Sequence, residues 1–398
     1  MTTIRTQVGI IGAGPAGLLL GEMLEREGIS SVIIDTRTRE DIEQTIRAGI
    51  LEQSTIDVLD AIVPNHRART AGYRHEGIEL DFDGAGHRID FEALVGQAVY
   101  LYPQHEVLID LLVAADARNA DIRLEVTAND VVDLDTATPR ILATTKDGEP
   151  LEIVCDFVVG ADGTRGISRA LVNGARREGH FREYPFAWFG ILTEAAPSAP
   201  ELIYAASERG FALISQRNET VQRMYLQCDP EMPVDAMTDD EIWDEFQARV
   251  PATELKRGPI FQRDVLRFRS FVAAKLRNGP MFLVGDSAHT VPPTGAKGMN
   301  VAVADVVLLN RALREHYAGG GDAFLDSYEE DALVRIWKAQ HFSYWMTSML
   351  HAAPNETSYD HNRRIAELRT VTDSEAGRKF LAEGYTGWQF AGWEPVEK

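Results

Sequence analysis

The stretch TQVGIIGAGPAGLLLGEMLEREG, Thr6 to Gly28, reads in order as a strand, a tight turn and a helix. Gln7 to Ile11 is an apolar run of strand length, and Gly12, Gly14 and Gly17 follow as G-x-G-x-x-G. Leu18, Leu19, Leu20, Met23 and Leu24 continue at helical spacing, and Gly28 ends the helix. A second apolar run, Ser31 to Ile34, ends in Asp35. This is the pattern of a nucleotide-binding βαβ unit. Its glycines let the backbone approach a pyrophosphate seated on the helix N-terminus, and the acid at the tip of the second strand accepts ribose hydroxyls. The motif alone is weak evidence; here strand, helix and an acid about twenty residues on all stand in place. Asp35 would repel a 2′-phosphate, which speaks against NADP at this position and leaves FAD and NAD open.

Two later segments favour FAD. CDFVVGADGTRG, Cys155 to Gly166, is an apolar strand running into Gly160-Ala161-Asp162-Gly163. MFLVGDSAHTVPPTGAKGMNVAVADVVLLNRAL, Met281 to Leu313, is an apolar strand, then Gly285-Asp286, a loop shaped by Pro292, Pro293 and Gly295, and a helix beginning near Gly298. Asp286 at a strand tip is placed to bind a polyol chain. The first N–H groups of the helix are free donors, and a helix N-terminus stabilises the negative charge of a reduced flavin, with Lys297 adding to that field.

The segment GFALISQRNETVQRMYLQC, Gly210 to Cys228, alternates, breaks at a polar NETVQ and alternates again, which predicts a hairpin. Strand periodicity puts Phe211, Leu213, Ser215 and Arg217 on one face, and Arg223, Tyr225 and Gln227 on one face of the returning strand. If the apolar face is buried, Arg217 goes with it. A buried guanidinium needs an anion, supplied either by the protein or by a ligand.

G-x-G-x-x-G, D-G and G-D in this order resemble the single-component flavoprotein aromatic hydroxylases. The segments IRAGILEQ, ELIYA, RGFALISQR, GDSAHTVPPTGAKGMN and RIWKAQHFSYWMTSMLH carry the resemblance, which runs from the N-terminus to about Gly387. It implies an α/β fold: a Rossmann-like FAD-binding domain with a β-sheet substrate domain and a C-terminal helical region. The expected FAD domain is discontinuous, over 1–72, 98–180 and 267–350. Residues 73–97 and 181–266 form a sheet over the flavin, and 351–398 close the site. FAD is expected on Gly12, Gly14, Gly17, Asp35, Arg47, Gln104, Asp162, Asp286, Lys297, Gly298, Met299 and Asn300, with Arg223 near the flavin.

The resemblance also gives the substrate, 4-hydroxybenzoate, and the two halves of a reaction. NADH or NADPH reduces the flavin; O2 then yields a flavin C4a-hydroperoxide that hydroxylates the ring beside the phenol, giving 3,4-dihydroxybenzoate. Arg217 would grip the carboxylate, helped by Ser215 and Tyr225, in a planar fork that fixes orientation. Tyr204 would hydrogen-bond the phenol oxygen, with Tyr385 beyond it and His75, in YRHEG, at the solvent end of a proton relay. Pro293 and Thr294 complete the phenol end. A free phenol has a pKa of about 10, so attack on the ring needs donors that stabilise the phenolate and a way out for its proton.

Alternatives are a flavin oxidase or dehydrogenase acting on another organic acid, a hydroxylase of a related hydroxybenzoate, and a non-catalytic flavin-binding regulator. The W-x-W of a flavin halogenase is missing.

At 398 residues two domains are expected. A net charge of −21 argues against nucleic acid, whose phosphates need a basic face. No apolar run approaches the ~18 residues of a membrane span. MTTIRTQ lacks an apolar signal region, and Cys155 and Cys228 sit in apolar segments as small buried hydrophobes, so the expected location is the cytoplasm. No metal site is expected. Val334, Trp337, His341, Tyr344, Trp345 and Ser348 lie near helical spacing and read as core or as the contact of a homodimer.

A nicotinamide coenzyme needs a place, yet there is no second G-x-G-x-x-G. The resemblance puts it on DTRTREDIEQTIRAG, Asp35 to Gly49, with Arg37, Asp41, Thr45, Arg165 and Arg269. NADPH-using members carry basic or aromatic side chains at the positions matching Thr36, Asp41 and Thr45. With Glu40, Asp41 and Glu43 where a 2′-phosphate would want cations, NADH preference or dual use is expected.

Overall fold

A computed structural model describes residues 2–44, 49–176 and 178–393. Its centre is a six-stranded sheet in the order Arg277–Asn278, Met281–Leu283, Phe157–Gly160, Val8–Ile11, Ser31–Asp35 and Ile122–Leu124. The last five are mutually parallel. Val8–Ile11 and Phe157–Gly160 are buried at every residue, as strands covered on both faces must be, and this is why they read as unbroken apolar runs. The helix Pro15–Arg26 packs against one face with the helices Gln104–Ala117 and Gly298–Tyr317. Thr2–Arg5, Pro150–Val154, Arg140–Thr145 and Val126–Val132 form a second, four-stranded sheet.

The other large element is an eight-stranded sheet. Its order is His289–Thr290, Ile260–Ala273, Gly179–Thr193, Gln222–Cys228, Gly210–Gln216, Ile203–Ser207, Gly77–Phe82 and Ala85–Asp90. All neighbours are antiparallel except Ile203–Ser207 with Gly77–Phe82. The predicted hairpin is present, with Leu213 opposite Tyr225 and Ser215 opposite Arg223. Period-two alternation gives the sheet two apolar faces. Ile203, Ala205, Ala212, Ile214, Met224 and Leu226 pack with the helix Asp239–Arg249. Tyr204, Phe211, Leu213, Tyr225 and Trp188 pack on the opposite side with the helices Ala323–Leu350, Ser358–Thr372 and Glu375–Thr386.

The helix Ala323–Leu350 narrows one expectation, core or homodimer contact, by removing the first for four of its residues. Val334, Trp337, His341 and Tyr344 are exposed and are not core; the buried stripe is Ala332, Ile336, Ala339, Phe342, Ser343 and Met346. Among the described residues no helix is long and apolar enough to cross a membrane.

Candidate active site

The G-x-G-x-x-G turn leaves the end of Val8–Ile11 and opens the helix Pro15–Arg26. Gly12 has φ 113°, and a Cβ there would strike the Ala161 carbonyl. A Cβ at Gly17 would strike the Gly12 carbonyl, so both glycines are required sterically. Asp35 is buried at the tip of the next strand. Its Oδ2 accepts the Ala13 N–H at 2.7 Å, and the Arg37 side chain donates to both of its oxygens, at 2.9 and 2.8 Å. Burial raises the Asp35 pKa, but the hydrogen bonds from Arg37 and Ala13 outweigh it and hold the carboxyl below its ordinary value. Asp162 begins the turn Gly163–Arg165. Its Oδ2 accepts the N–H and hydroxyl of Ser168, at 3.0 and 2.9 Å, while its buried Oδ1 has no partner among the described residues. Asp286 lies in the turn Gly285–Ser287, and Gln104 opens the helix Gln104–Ala117. A turn with no room for side chains at Gly12 and Gly17, followed by carboxylates at two strand ends, fits an adenine dinucleotide flavin. Arg47 lies outside the described residues.

The helix Gly298–Tyr317 starts where expected, with Gly298 and Met299 in its first turn. Asn300 ties that turn to the segment before the helix Gln53–Ile62. Its Oδ1 accepts from Glu52 N–H and Thr55 Oγ1, at 2.9 and 2.8 Å, and its Nδ2 donates to the Ile50 and Ala296 carbonyls. Lys297 is 1% exposed, with Nζ 2.7 Å from Glu52 Oε1 and 2.8 Å from the Tyr385 carbonyl. Burial lowers the Lys297 pKa, and the Glu52 carboxylate opposes that shift. Arg335 reaches the other Glu52 oxygen at 3.1 Å. Two cations thus share one buried acid under the helix start.

On the substrate face, Arg217 lies beside Arg223 and Tyr225. Burial, followed by the field of Arg223, pulls the Arg217 pKa down to about 10. The Ser215 hydroxyl donates to the Arg223 carbonyl at 2.8 Å. Arg223 pairs with Asp264 at 3.1 Å, and its guanidinium lies 5.1 Å from the Tyr225 ring. The opposite end is marked by Tyr204 and Tyr385, both 1% exposed, with hydroxyls 2.7 Å apart. Burial raises the pKa of both phenols, so each stays protonated near neutrality. Pro293 and Thr294 lie in the turn Pro293–Gly295, where Thr294 Oγ1 meets Thr347 Oγ1 at 3.0 Å.

His75 departs from expectation. It is 1% exposed and not at a solvent boundary, and its Nε2 lies 3.3 Å from Gln216 Nε2. Burial lowers its pKa to about 4, against the field of Glu201. A ring expected to titrate near neutrality is therefore uncharged there.

The coenzyme candidates are scattered over a surface. Arg165 and Arg269 are exposed. Arg37 is engaged by Asp35, and Arg39 by Glu43 and Asp116, each at 2.7 Å. Thr38 caps the short helix Arg39–Gln44, its hydroxyl oxygen accepting the Asp41 N–H at 3.1 Å, and the Asp41 carboxylate accepts in turn from the Thr38 N–H and hydroxyl, at 3.1 and 2.7 Å. Thr45 lies outside the described residues.

Three residues escaped the sequence reading. Glu52 holds Lys297, but a single acid before a helix has no motif. Arg169 donates to the Ser287 and Asp286 carbonyls at 2.8 and 2.5 Å and lies 3.9 Å over the Phe271 ring. Burial pulls its pKa down to about 10. Trp188, on the neighbouring strand Gly179–Thr193, lies 4.9 Å from the Tyr225 ring at a tilt of 43°.

Comparison with known proteins agrees with this geometry. The family model described as FAD binding domain matches residues 5–343. The p-hydroxybenzoate hydroxylase of Acinetobacter baylyi is 41% identical over 391 residues, 97% of this chain and 96% of that one. Among solved structures, p-nitrophenol 4-monooxygenase from Pseudomonas putida superposes with a TM-score of 0.79 at 18% identity, covering 97% of this chain and 99% of that chain. Aklavinone-11 hydroxylase, solved with FAD and aklavinone, gives 0.74 at 21% identity, over 88% and 70%. These two share the fold. With the family match spanning most of its length, the chain belongs to the FAD-dependent aromatic hydroxylases.

Proposed function

We propose that this flavoprotein hydroxylates 4-hydroxybenzoate at the 3 position, giving 3,4-dihydroxybenzoate, with NADH or NADPH as reductant and O2 as oxidant. The observation that carries the reading is the two-ended face of the eight-stranded sheet. Arg217, Ser215 and Tyr225 stand on one hairpin, and the Tyr204–Tyr385 hydroxyl pair, 2.7 Å apart, stands on the same side. A planar molecule with a carboxylate at one end and a phenol at the other matches both. FAD, when bound, accepts a hydride and activates O2. The chain's own residues do the rest. Arg217 pairs with the carboxylate, and the Tyr225 hydroxyl donates to it. Tyr204 donates to the phenol oxygen as that oxygen becomes anionic, and Tyr385 hands on the proton. His75, whose pKa burial lowers to about 4, would pass that proton on and not hold it near pH 7. Helical segments over the sheet exclude water. In this reading 1–72, 98–180 and 267–350 hold the flavin, 73–97 and 181–266 hold the substrate, and 351–398 close the site.

NADH preference or dual use rests on the charge of the segment after Asp35. Its arginines Arg37 and Arg39 are engaged by acids, and Glu40, Asp41 and Glu43 would repel a 2′-phosphate. A homodimer is supported by the exposed apolar side chains of the helix Ala323–Leu350, and a cytoplasmic location by the unpaired cysteines.

The test is product analysis of holoenzyme with 4-hydroxybenzoate and each coenzyme at fixed ionic strength. The expected product is 3,4-dihydroxybenzoate in near-equal amount to coenzyme oxidised, and faster flavin reduction by NADH. Hydrogen peroxide in equal amount without hydroxylated product would sink the hydroxylase reading. A clear NADPH preference would sink the coenzyme reading alone.

A further inference from the structure

The end of the helix Ala323–Leu350 carries a buried histidine that the steps above do not use. His351 is 3% exposed. Its Nε2 lies 2.6 Å from the Trp188 indole N–H, and its Nδ1 lies 2.9 Å from the Thr347 carbonyl. An indole N–H only donates and a carbonyl only accepts, so Nε2 is the acceptor and the hydrogen sits on Nδ1. Burial lowers the His351 pKa to about 3; the Thr347 carbonyl opposes the shift, and Arg364 and Arg249 add to it. The ring stays neutral and its acceptor stays available over any ordinary working pH.

Around this bond the His351 ring is stacked between aromatic neighbours, and Trp188 meets the Tyr225 ring at a tilt of 43°. The His351 ring lies 4.2 Å from Phe211 and 4.6 Å from Phe186, and Trp188 lies 4.9 Å from Tyr225. One turn earlier, Thr347 reaches Thr294 in the phenol-end loop. A core that needed packing alone would be served by phenylalanine at 351, but phenylalanine would leave the buried Trp188 N–H without an acceptor. We infer that His351 is a positioning residue for substrate binding: through the Trp188 indole it fixes the Tyr225 ring, and with it the donor to the substrate carboxylate. The inference rests on the reading of Tyr225 as that donor.

The experiment titrates holoenzyme with 4-hydroxybenzoate and follows the flavin absorbance. H351F, which keeps an aromatic ring but no acceptor, is expected to weaken binding about tenfold. H351Q, whose amide oxygen can accept the indole N–H, is expected within about threefold of the wild type. On a Y225F background, H351F is expected to change affinity less than about twofold, because the residue acts through Tyr225. Unchanged affinity in H351F, or the same loss with and without the Tyr225 hydroxyl, overturns the inference. If H351F does not retain FAD, W188F replaces it. That variant removes the donor and is expected to weaken binding about threefold on wild-type Tyr225 and not on Y225F; equal effects overturn the inference. A wild type whose flavin does not respond to 4-hydroxybenzoate overturns the parent reading, and the inference with it.

Discussion

Replacing Tyr385 by phenylalanine removes one hydroxyl and leaves a ring stacked at 5.2 Å on Phe91. Tyr204 then loses the hydroxyl partner 2.7 Å away, while its own donor to the phenol is kept. Substrate affinity should change little, and hydroxylation should fall about 10²-fold, the scale of a lost proton-transfer partner. Rapid-quench product formation beside a binding titration separates the two. A parallel loss of affinity would place Tyr385 in binding instead. His75 supplies a pH prediction. Its folded pKa of about 4 lies below the ~6.5 of an unfolded histidine, so as pH falls the unfolded chain takes up the proton first. The neutral buried ring therefore costs nothing above about pH 6.5, and stability drains away as pH falls from there toward about 4. Between about pH 6.5 and 5 the loss should be about 2 kcal/mol, and H75Q should lack it. Urea unfolding of both proteins at the two pH values reads the difference; equal slopes would mean the ring can charge in the folded state. That shift was not legible in the sequence. YRHEG shows a histidine but not its enclosure, because the atoms that bury it come from Gln216 and the strand Val99–Leu101, far along the chain. The glycines were legible, since a backbone contact that excludes a Cβ leaves no other residue possible at Gly12 and Gly17.

At the level of elements, periodicity located what is local. The first strand and helix, the hairpin with Leu213 opposite Tyr225, and the helix at Gly298 follow from alternation, apolar runs and glycine placement. Which helix face turns inward was less legible. The helix Ala323–Leu350 carries aromatic side chains nearly all round, so its sequence did not separate the outward Trp337 and Tyr344 from the inward Phe342 and Met346. The cluster of Glu52, Lys297 and Arg335 was hidden for the same reason as His75, with 245 residues between acid and lysine. Its consequence is an element-level one. Glu52 joins the helices Gln53–Ile62, Gly298–Tyr317 and Ala323–Leu350 at their meeting point. Glu52→Ala would leave two buried cations without their acid, and removal of one partner from such a pair costs about 3–5 kcal/mol. Denaturant unfolding of the FAD-loaded protein should show a loss of that size, with FAD released more readily. A loss under about 1 kcal/mol would mean that water reaches Lys297 and that the helix start is not locked by this charge.

For the whole molecule, one surface is unlike the rest. Val334 is 70% exposed and Trp337 45%, with Tyr344 one further step along the same helix face. His180 meets Trp337 edge-on, and Arg182 lies 4.8 Å over the Tyr344 ring, so the strand Gly179–Thr193 extends this patch sideways. Single exposed apolar residues need no account, but a contiguous strip of aromatic and aliphatic side chains does. The net charge of −21 makes the point sharper. Two copies repel at long range, and that repulsion is screened within ~8–10 Å at physiological salt. Association therefore needs a short-range apolar contact of this kind, and it should strengthen as salt rises. The inner face of the same helix touches the phenol-end loop through Thr347 and Thr294, so a partner seated outside would also brace the site. W337E with V334E places two carboxylates in the strip without touching the buried face. Sedimentation equilibrium should find the wild type at twice the chain mass of 44.2 kDa and the double variant at one chain mass. A wild type that sediments as a single chain at all salt concentrations would leave the strip to some other partner and remove the dimer from the description of this enzyme.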